Sequence, residues 1–146
     1  MKFNVNQQDL QQALNYCQGV IEKRSTLPIV SNILLDASDS KLTITATDLD
    51  LIQSTVCKFF KISKSEMLSS RRSRYLVRPR QTAIYLTKIL TSKSLPEIGR
   101  EFSNRDHTTI IHSVKTIEKL KEKDPEMTNN INNLKNQILY NKENEI

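Results

Sequence analysis

Past residue 50 the chain shows no two-residue alternation, and its apolar side chains recur at helical spacing to the end. That change of period constrains the fold more than any other feature. Val56, Phe59, Phe60, Ile62, Met67 and Leu68 predict one helix and a short second one. SSRRSRYLVRPRQ, with five arginines, then interrupts the pattern. Pro79 is expected in the first turn of the next helix, where its missing N–H costs nothing, and Ala83, Ile84, Leu86 and Leu90 give that helix an apolar face. SLPE, residues 94–97, has the form of a capping box, with Ser94 as N-cap and Glu97 reaching back to it. A short helix through Phe102 should follow, then a tight Ser103-Asn104 turn, since Asn tolerates a left-handed backbone. A longer helix from about Asp106 to Lys123 and a last one carrying Met127, Ile131, Leu134 and Ile138 complete the series. The tip after Tyr140 should fray.

The first fifty residues read differently. MKFNVNQQ predicts a short strand. DLQQALNYCQGVI places Leu10, Ala13, Leu14, Cys17 and Ile21 at helical spacing behind Asp9 as N-cap. NILLDASDSKLTITATDLDL sets Leu42, Ile44 and Ala46 against Thr43, Thr45 and Thr47, with DASDS as a turn, which is a hairpin pattern. At 146 residues there is room for one ordinary domain or two very small ones. The expected class is therefore α+β: a small strand-helix-hairpin segment over 1–50, then an all-α domain over 51–146.

Several functions are disfavoured at once. Gly19 and Gly99 are the only glycines, too few for a glycine-rich phosphate loop or dinucleotide turn, so no nucleotide cofactor is expected. Cys17 and Cys57 lack CxxC spacing, which argues for reduced, packed thiols rather than a zinc ribbon or a disulfide. There is no apolar run of membrane length and no export signal, so a cytoplasmic protein without membrane contact is expected. Charge is unevenly placed. Residues 1–50 hold four Lys/Arg against six Asp/Glu, net −2, and residues 51–146 hold eighteen against ten, net +8. A basic field of that kind attracts polyanions, nucleic acid first.

GREFSNRDHTTIIHS, residues 99–113, concentrates the chemistry. On a wheel centred on Val114, Ile110, Ile111 and Ile117 fall within about 60° and define the expected core face. Thr108, Thr109, His112, Lys115, Thr116 and Lys119 fall opposite, a donor-rich face without a carboxylate, and Glu118 stands on the flank. His107 comes out at about 20°, nominally toward the core. His107 and His112 are five apart and diverge by about 140°, so they do not make the i, i+4 pair of a helical metal site. No metal is expected. Acid/base catalysis by Asp106 and His107 would need a pocket and a third group that the sequence does not supply, so no enzyme activity is expected. Asp106 and the threonines also read simply as a cap and its first turn, and capping is compatible with contact. A short capped helix, a tight turn and a second helix with a donor-rich outer face is a helix-turn-helix pattern, whose second helix presents its first residues to the DNA major groove.

From about residue 51 to 140 the chain resembles the C-terminal DNA-binding domain of the bacterial chromosomal replication initiator DnaA, through SSRRSRYLVRPRQTAIYLTKILTSKSLPEIGREFSNRDHTTIIHSVKTIEKL and its RDHTT helix start. The resemblance implies a Trp-repressor-like helix-turn-helix that binds double-stranded DNA at origin-type sites, in the cytoplasm at the nucleoid. It implies that Arg72 enters the minor groove and that Asp106, His107 and Thr108 read bases in the major groove. It further implies that Arg71, Arg74, Arg80, Gln81, Lys88, Leu95, Pro96, Arg105, Thr109, His112 and Lys115 hold the phosphate backbone or buttress the groove contact. The sequence departs from the pattern at Ser103-Asn104, where glycine-rich turns are common, and at Thr116, where a basic residue often follows Lys115.

Residues 1 to about 50 resemble the start of the DNA polymerase III β sliding clamp through MKFNVNQQDLQQAL, RSTLPI and TATDLDL. That resemblance implies a clamp-type DNA contact at Arg24. It covers too little to build a ring, and the initiator's ATPase domain has no counterpart in this sequence, so neither activity is expected here. A fifty-residue piece has little core and leaves a sheet edge unpaired, so it should lean on the helical domain, self-associate weakly or contact a replisome protein. Three readings follow: a sequence-specific DNA-binding protein that modulates replication initiation, a clamp-derived replisome interaction module, and a fusion remnant without a role.

Overall fold

In the computed structural model residues 4–22, 31–38 and 41–140 are described, without the side chains of residues 16–48 and Tyr140. The chain divides into two compact units, Met1–Asp48 and Leu49–Ile146.

In the first unit, helix α1 spans Gln7–Glu22. Strands β1 (Ser31–Ser38) and β2 (Lys41–Asp48) pair antiparallel, from Ser31 opposite Asp48 to Ser38 opposite Lys41. The residues given to the DASDS turn are partly strand, because Asp36 pairs with Thr43 and Ala37 with Leu42. Among the described residues of the expected opening strand none is strand: Asn4–Asn6 carry no regular structure, and Gln7 and Gln8 belong to α1, where Asn6 accepts from the Gln8 N–H through its side chain at 2.9 Å. Asn6, not Asp9, stands at the helix entry, and Asp9 lies in the first turn. Arg24, the turn residues 39–40 and the tip from 141 to 146 lie outside the described residues.

The second unit is built of helices alone: α2 (Leu49–Phe60), α3 (Lys64–Leu68), α4 (Arg74–Leu90), α5 (Leu95–Glu101), α6 (His107–Lys123) and α7 (Pro125–Tyr140). This corrects the α+β class. The core described in the second unit is helical, and the β structure described is one two-stranded ladder in the first unit. The physical reason lies in the sequence pattern. Only helical periodicity runs long enough to bury a continuous face, through Ile52, Val56, Met67, Ile84, Leu86, Leu90, Ile98, Phe102, Ile110, Ile117, Ile131 and Leu134.

Helix α4 is the hub and packs against α2, α3, α5, α6 and α7. Every residue from Pro79 to Thr87 is buried, including the polar ones. Thr87 survives there because its hydroxyl donates to the Ala83 carbonyl at 2.8 Å. Pro79 is not in the first turn as expected: the helix begins at Arg74, with the Ser73 carbonyl accepting from the Leu76 and Val77 N–H groups at 2.9 and 3.0 Å. The arginine loop thereby shortens to Ser69–Ser73. Cys57 is a buried free thiol, and burial pushes its pKa up; the side chain of Cys17 lies outside the described residues.

A candidate nucleic-acid interface

Helix α5 starts at a complete capping box. The Ser94 hydroxyl accepts from the Glu97 N–H at 3.4 Å, and the Glu97 carboxylate accepts from the Ser94 N–H at 2.7 Å and its hydroxyl at 2.6 Å. Those bonds hold the Glu97 carboxyl below its usual range. Pro96 is exposed beside it and Leu95 half-buried. A carboxylate at this helix start works against the phosphate contact that its free N–H groups would otherwise invite.

The turn into α6 is made by Ser103 and Asn104, both left-handed, with φ of 64° and 53°. Gly99 makes the tight return possible. The Arg105 N–H donates to the Gly99 carbonyl at 2.8 Å, and a Cβ on Gly99 would overlap the carbonyl oxygen of Arg105. Glycine is thus required inside α5, where it approaches the turn, while Ser and Asn manage the turn itself. The local pattern marks the turn at Ser103-Asn104 but not the need for glycine at 99, although it is the sole glycine of the second unit.

Asp106 caps α6 as expected. Its carboxylate accepts from the Thr108 hydroxyl at 2.8 Å and weakly from the Thr108 N–H at 3.5 Å, and lies 2.8 Å from His107 Nδ1. The Thr108 hydroxyl leads the causes that lower the Asp106 pKa. The three residues of the expected base-reading set are therefore interlocked at the helix tip, and all three are exposed; the His107 and Asp106 side chains are 59% and 62% accessible. Thr109, His112 and Lys115 are exposed as well.

The core face of α6 differs from the wheel. Ile110, Ser113 and Ile117 are buried, whereas Ile111 and Val114 are half-buried. That rotates the buried stripe by about 60° and carries His107 well away from it. Ser113 is tolerated in the stripe because its hydroxyl donates to the Thr109 carbonyl at 2.8 Å. His107 is thus outward, contrary to the angle reckoned from Val114, because the core meets α6 on its Ile117 side.

The arginine loop is anchored beside this helix start. Ser103 Oγ donates to the Leu68 carbonyl at 2.6 Å and Arg105 Nη2 to the Ser69 carbonyl at 2.7 Å. Arg71, Arg72 and Arg74 are exposed, as is Lys88 on α4. Arg80 is not: it is 5% exposed, and its guanidinium donates to the carbonyls of Met67 (2.6 Å), Ser69 (2.8 Å), Arg71 (3.1 Å) and Glu66 (3.4 Å). Gln81 is buried too and accepts from Arg78 at 3.3 Å. Burial sets Arg80 and Gln81 apart from the exposed members of the set expected to hold the phosphate backbone or buttress the groove contact. Arg105 is only half-buried, and the positive charge of Arg72 adds to burial in pulling its pKa down. No group of three His, Cys, Asp or Glu side chains that could hold a metal is found among the described residues, and no described helix is long and apolar enough to cross a membrane.

Residues 49–117 match the family model described as the bacterial dnaA protein helix-turn-helix. That stretch is similar to the DnaA-type helix-turn-helix. The chain is similar to the chromosomal replication initiator protein DnaA of Ehrlichia ruminantium (strain Gardel), 50% identical over 110 residues that make up 73% of this chain and 23% of that protein. It is similar to DnaA of Rhodopseudomonas palustris (strain HaA2), 51% identical over 87 residues, 60% of this chain and 18% of that one. A crystal structure described as a DNA replication initiation factor superposes with a TM-score of 0.57 at 30% identity, over 62% of this chain and 27% of that chain. The chain thus spans less than a quarter of these two DnaA proteins.

Proposed function

We propose that the chain binds double-stranded DNA sequence-specifically at initiator-type sites through its DnaA-type unit and, by occupying them, modulates replication initiation. The observation that carries this reading is the exposed, interlocked Asp106–His107–Thr108 tip of α6, continued by exposed Thr109, His112 and Lys115 and set beside an anchored loop of exposed arginines. In this reading α6 enters the major groove. Asp106 accepts from a cytosine amino group, His107 addresses purine acceptors, and the Thr108 methyl meets a thymine methyl. Arg72 reaches the neighbouring minor groove, while Arg71, Arg74, Lys88 and Lys115 neutralise phosphates.

Titration of the whole chain with an initiator-type duplex and a scrambled duplex, at several salt concentrations, tests this. A preference of at least about a hundredfold, retained as salt rises, is expected, because phosphate attraction alone fades with salt and carries no sequence ratio. Equal affinity for both duplexes at every salt concentration refutes it.

For residues 1–50 the clamp-type reading, with its contact at Arg24 and a replisome or self-association surface, is likewise a proposal. Its support is the RSTLPI and TATDLDL pieces and the order of α1 before a two-stranded ladder with no further strand paired to it among the described residues. Retention of intact clamp protein by the full chain, but not by a chain altered within those pieces, is the outcome it requires.

A further inference from the structure

Helix α3 has five residues, so its last carbonyls have no partners within it. Those carbonyls and the loop carbonyls after them are taken up from α4 and from the turn before α6, and the Ser69 carbonyl also accepts from Arg105 at 2.7 Å. Arg80, from inside α4, reaches the carbonyls of Glu66, Met67, Ser69 and Arg71, and Ser103, from the turn before α6, reaches that of Leu68. A guanidinium suits this place because its fork of N–H donors can span several carbonyls at once and its charge meets the negative end of a helix. An ammonium donates from one atom and cannot cover the same spread.

The acceptors are all backbone, so the clasp sets where the chain runs, whatever the side chains do. The exposed Arg72 follows directly after the last clasped carbonyl. We propose that Arg80 is a positioning residue for DNA recognition: it holds the Ser69–Ser73 loop so that Arg72 is delivered to the groove next to the one entered by α6. The proposal rests on the DNA-binding reading and deepens it, because it assigns part of the specificity to a side chain that touches no DNA.

Coupling between Arg80 and Arg72 in the full chain is the test. The chains compared are unsubstituted, Arg72→Ala, Arg80→Lys and the double substitution, each titrated with initiator-type and scrambled duplexes across salt. Arg80→Lys should lower affinity for the preferred duplex about tenfold, reduce the salt slope by about one, and add less than twofold once Arg72 is already alanine. Multiplying effects would overturn the proposal, since they would mark Arg80 as an independent contact or a general stability residue. Ser103→Ala, which removes one clasp bond from an exposed side chain, guards against a misfolded Arg80 variant. It should cost two- to threefold on the preferred duplex only when Arg72 is present, and an unchanged preference counts against the clasp. Tryptic nicking after Arg71 and Arg72 separates this proposal from the reading beneath it. If the unsubstituted chain shows no duplex preference, the DNA reading fails. The clasp then stands if Arg80→Lys speeds nicking at unchanged melting temperature, and falls if it does not.

Discussion

Arg72 stands free in the Ser69–Ser73 loop, whereas Arg80, from the same basic run, is 5% exposed with its guanidinium spread over four backbone carbonyls. The same contrast repeats at α6. Asp106, His107 and Thr108 face outward, while Gly99 and Ser103 beneath and beside them fix how the helix start meets the loop. The difference teaches that the interface has two layers. An outer layer is available to a ligand and contributes little to stability. An inner layer contributes stability and placement and meets no ligand.

The sharpest break of this division is at Gly99. Alanine is normally the better helix residue by about 1 kcal/mol, yet here its Cβ meets the Arg105 carbonyl, which the Arg105–Gly99 hydrogen bond prevents from retreating. Overlap with backbone should win. Gly99→Ala is expected to destabilise the fold by about 3 kcal/mol or more, read from the denaturant midpoint. An unchanged midpoint would mean that the turn gives way and that the inner layer is not rigid.

Next in size is the outer layer. Alanine at His107 or Thr108 should weaken binding to the preferred duplex on the order of ten- to a hundredfold and relax base preference, with the thermal midpoint nearly unmoved. Lys88→Ala or Lys115→Ala should weaken all duplexes alike and reduce the salt slope by about one. Asp106 belongs to both layers, as cap and as proposed base contact, and Asp106→Asn separates the roles because asparagine still caps but offers a different pattern to a base. A loss of stability equal to that from alanine would place Asp106 wholly in the inner layer.

The smallest expected effect is on pH. Glu66, Glu97 and Asp106 all have lowered pKa values, caused chiefly by the Ser63 N–H, the Ser94 hydroxyl and the Thr108 hydroxyl. A carboxyl whose folded pKa lies below its unfolded one contributes stability above the unfolded value and loses it as pH falls through the folded one. The thermal midpoint should therefore change little from pH 7 to about 5 and decline below about 4. Ser94→Ala should flatten that decline, and Ser63→Ala should do so less because alanine keeps the N–H that chiefly lowers the Glu66 pKa, measured by melting across pH. An equally steep decline in both would show that these caps do not couple to stability.

The helical elements of the second unit were legible because their signals are local. SLPE forms the box it spells, Asp106 caps the helix it precedes, and Ser103-Asn104 takes the left-handed turn. The outward face of Thr108, Thr109, His112 and Lys115 was legible for the same reason, since an uninterrupted polar stripe has only one way to face. What misled was any feature set from a distance. Pro79 reads as a helix start, but α4 begins at Arg74, where the Ser73 carbonyl accepts from the Leu76 and Val77 N–H groups and Leu76 is buried. MKFNVNQQ reads as a strand, but Gln7 and Gln8 follow an Asn6 whose side chain caps them into α1.

By itself the sequence determined the helices of the second unit, their caps and the chemistry carried on α6, because each depends on residues a few positions apart along one element. Tertiary structure alone decided which basic residues remain free, where the core meets α6 and why glycine is needed at 99. Those outcomes depend on groups brought together across the fold, such as Arg80 with Met67 or Ser103 with Leu68, and no local pattern encodes which carbonyl a buried guanidinium will find.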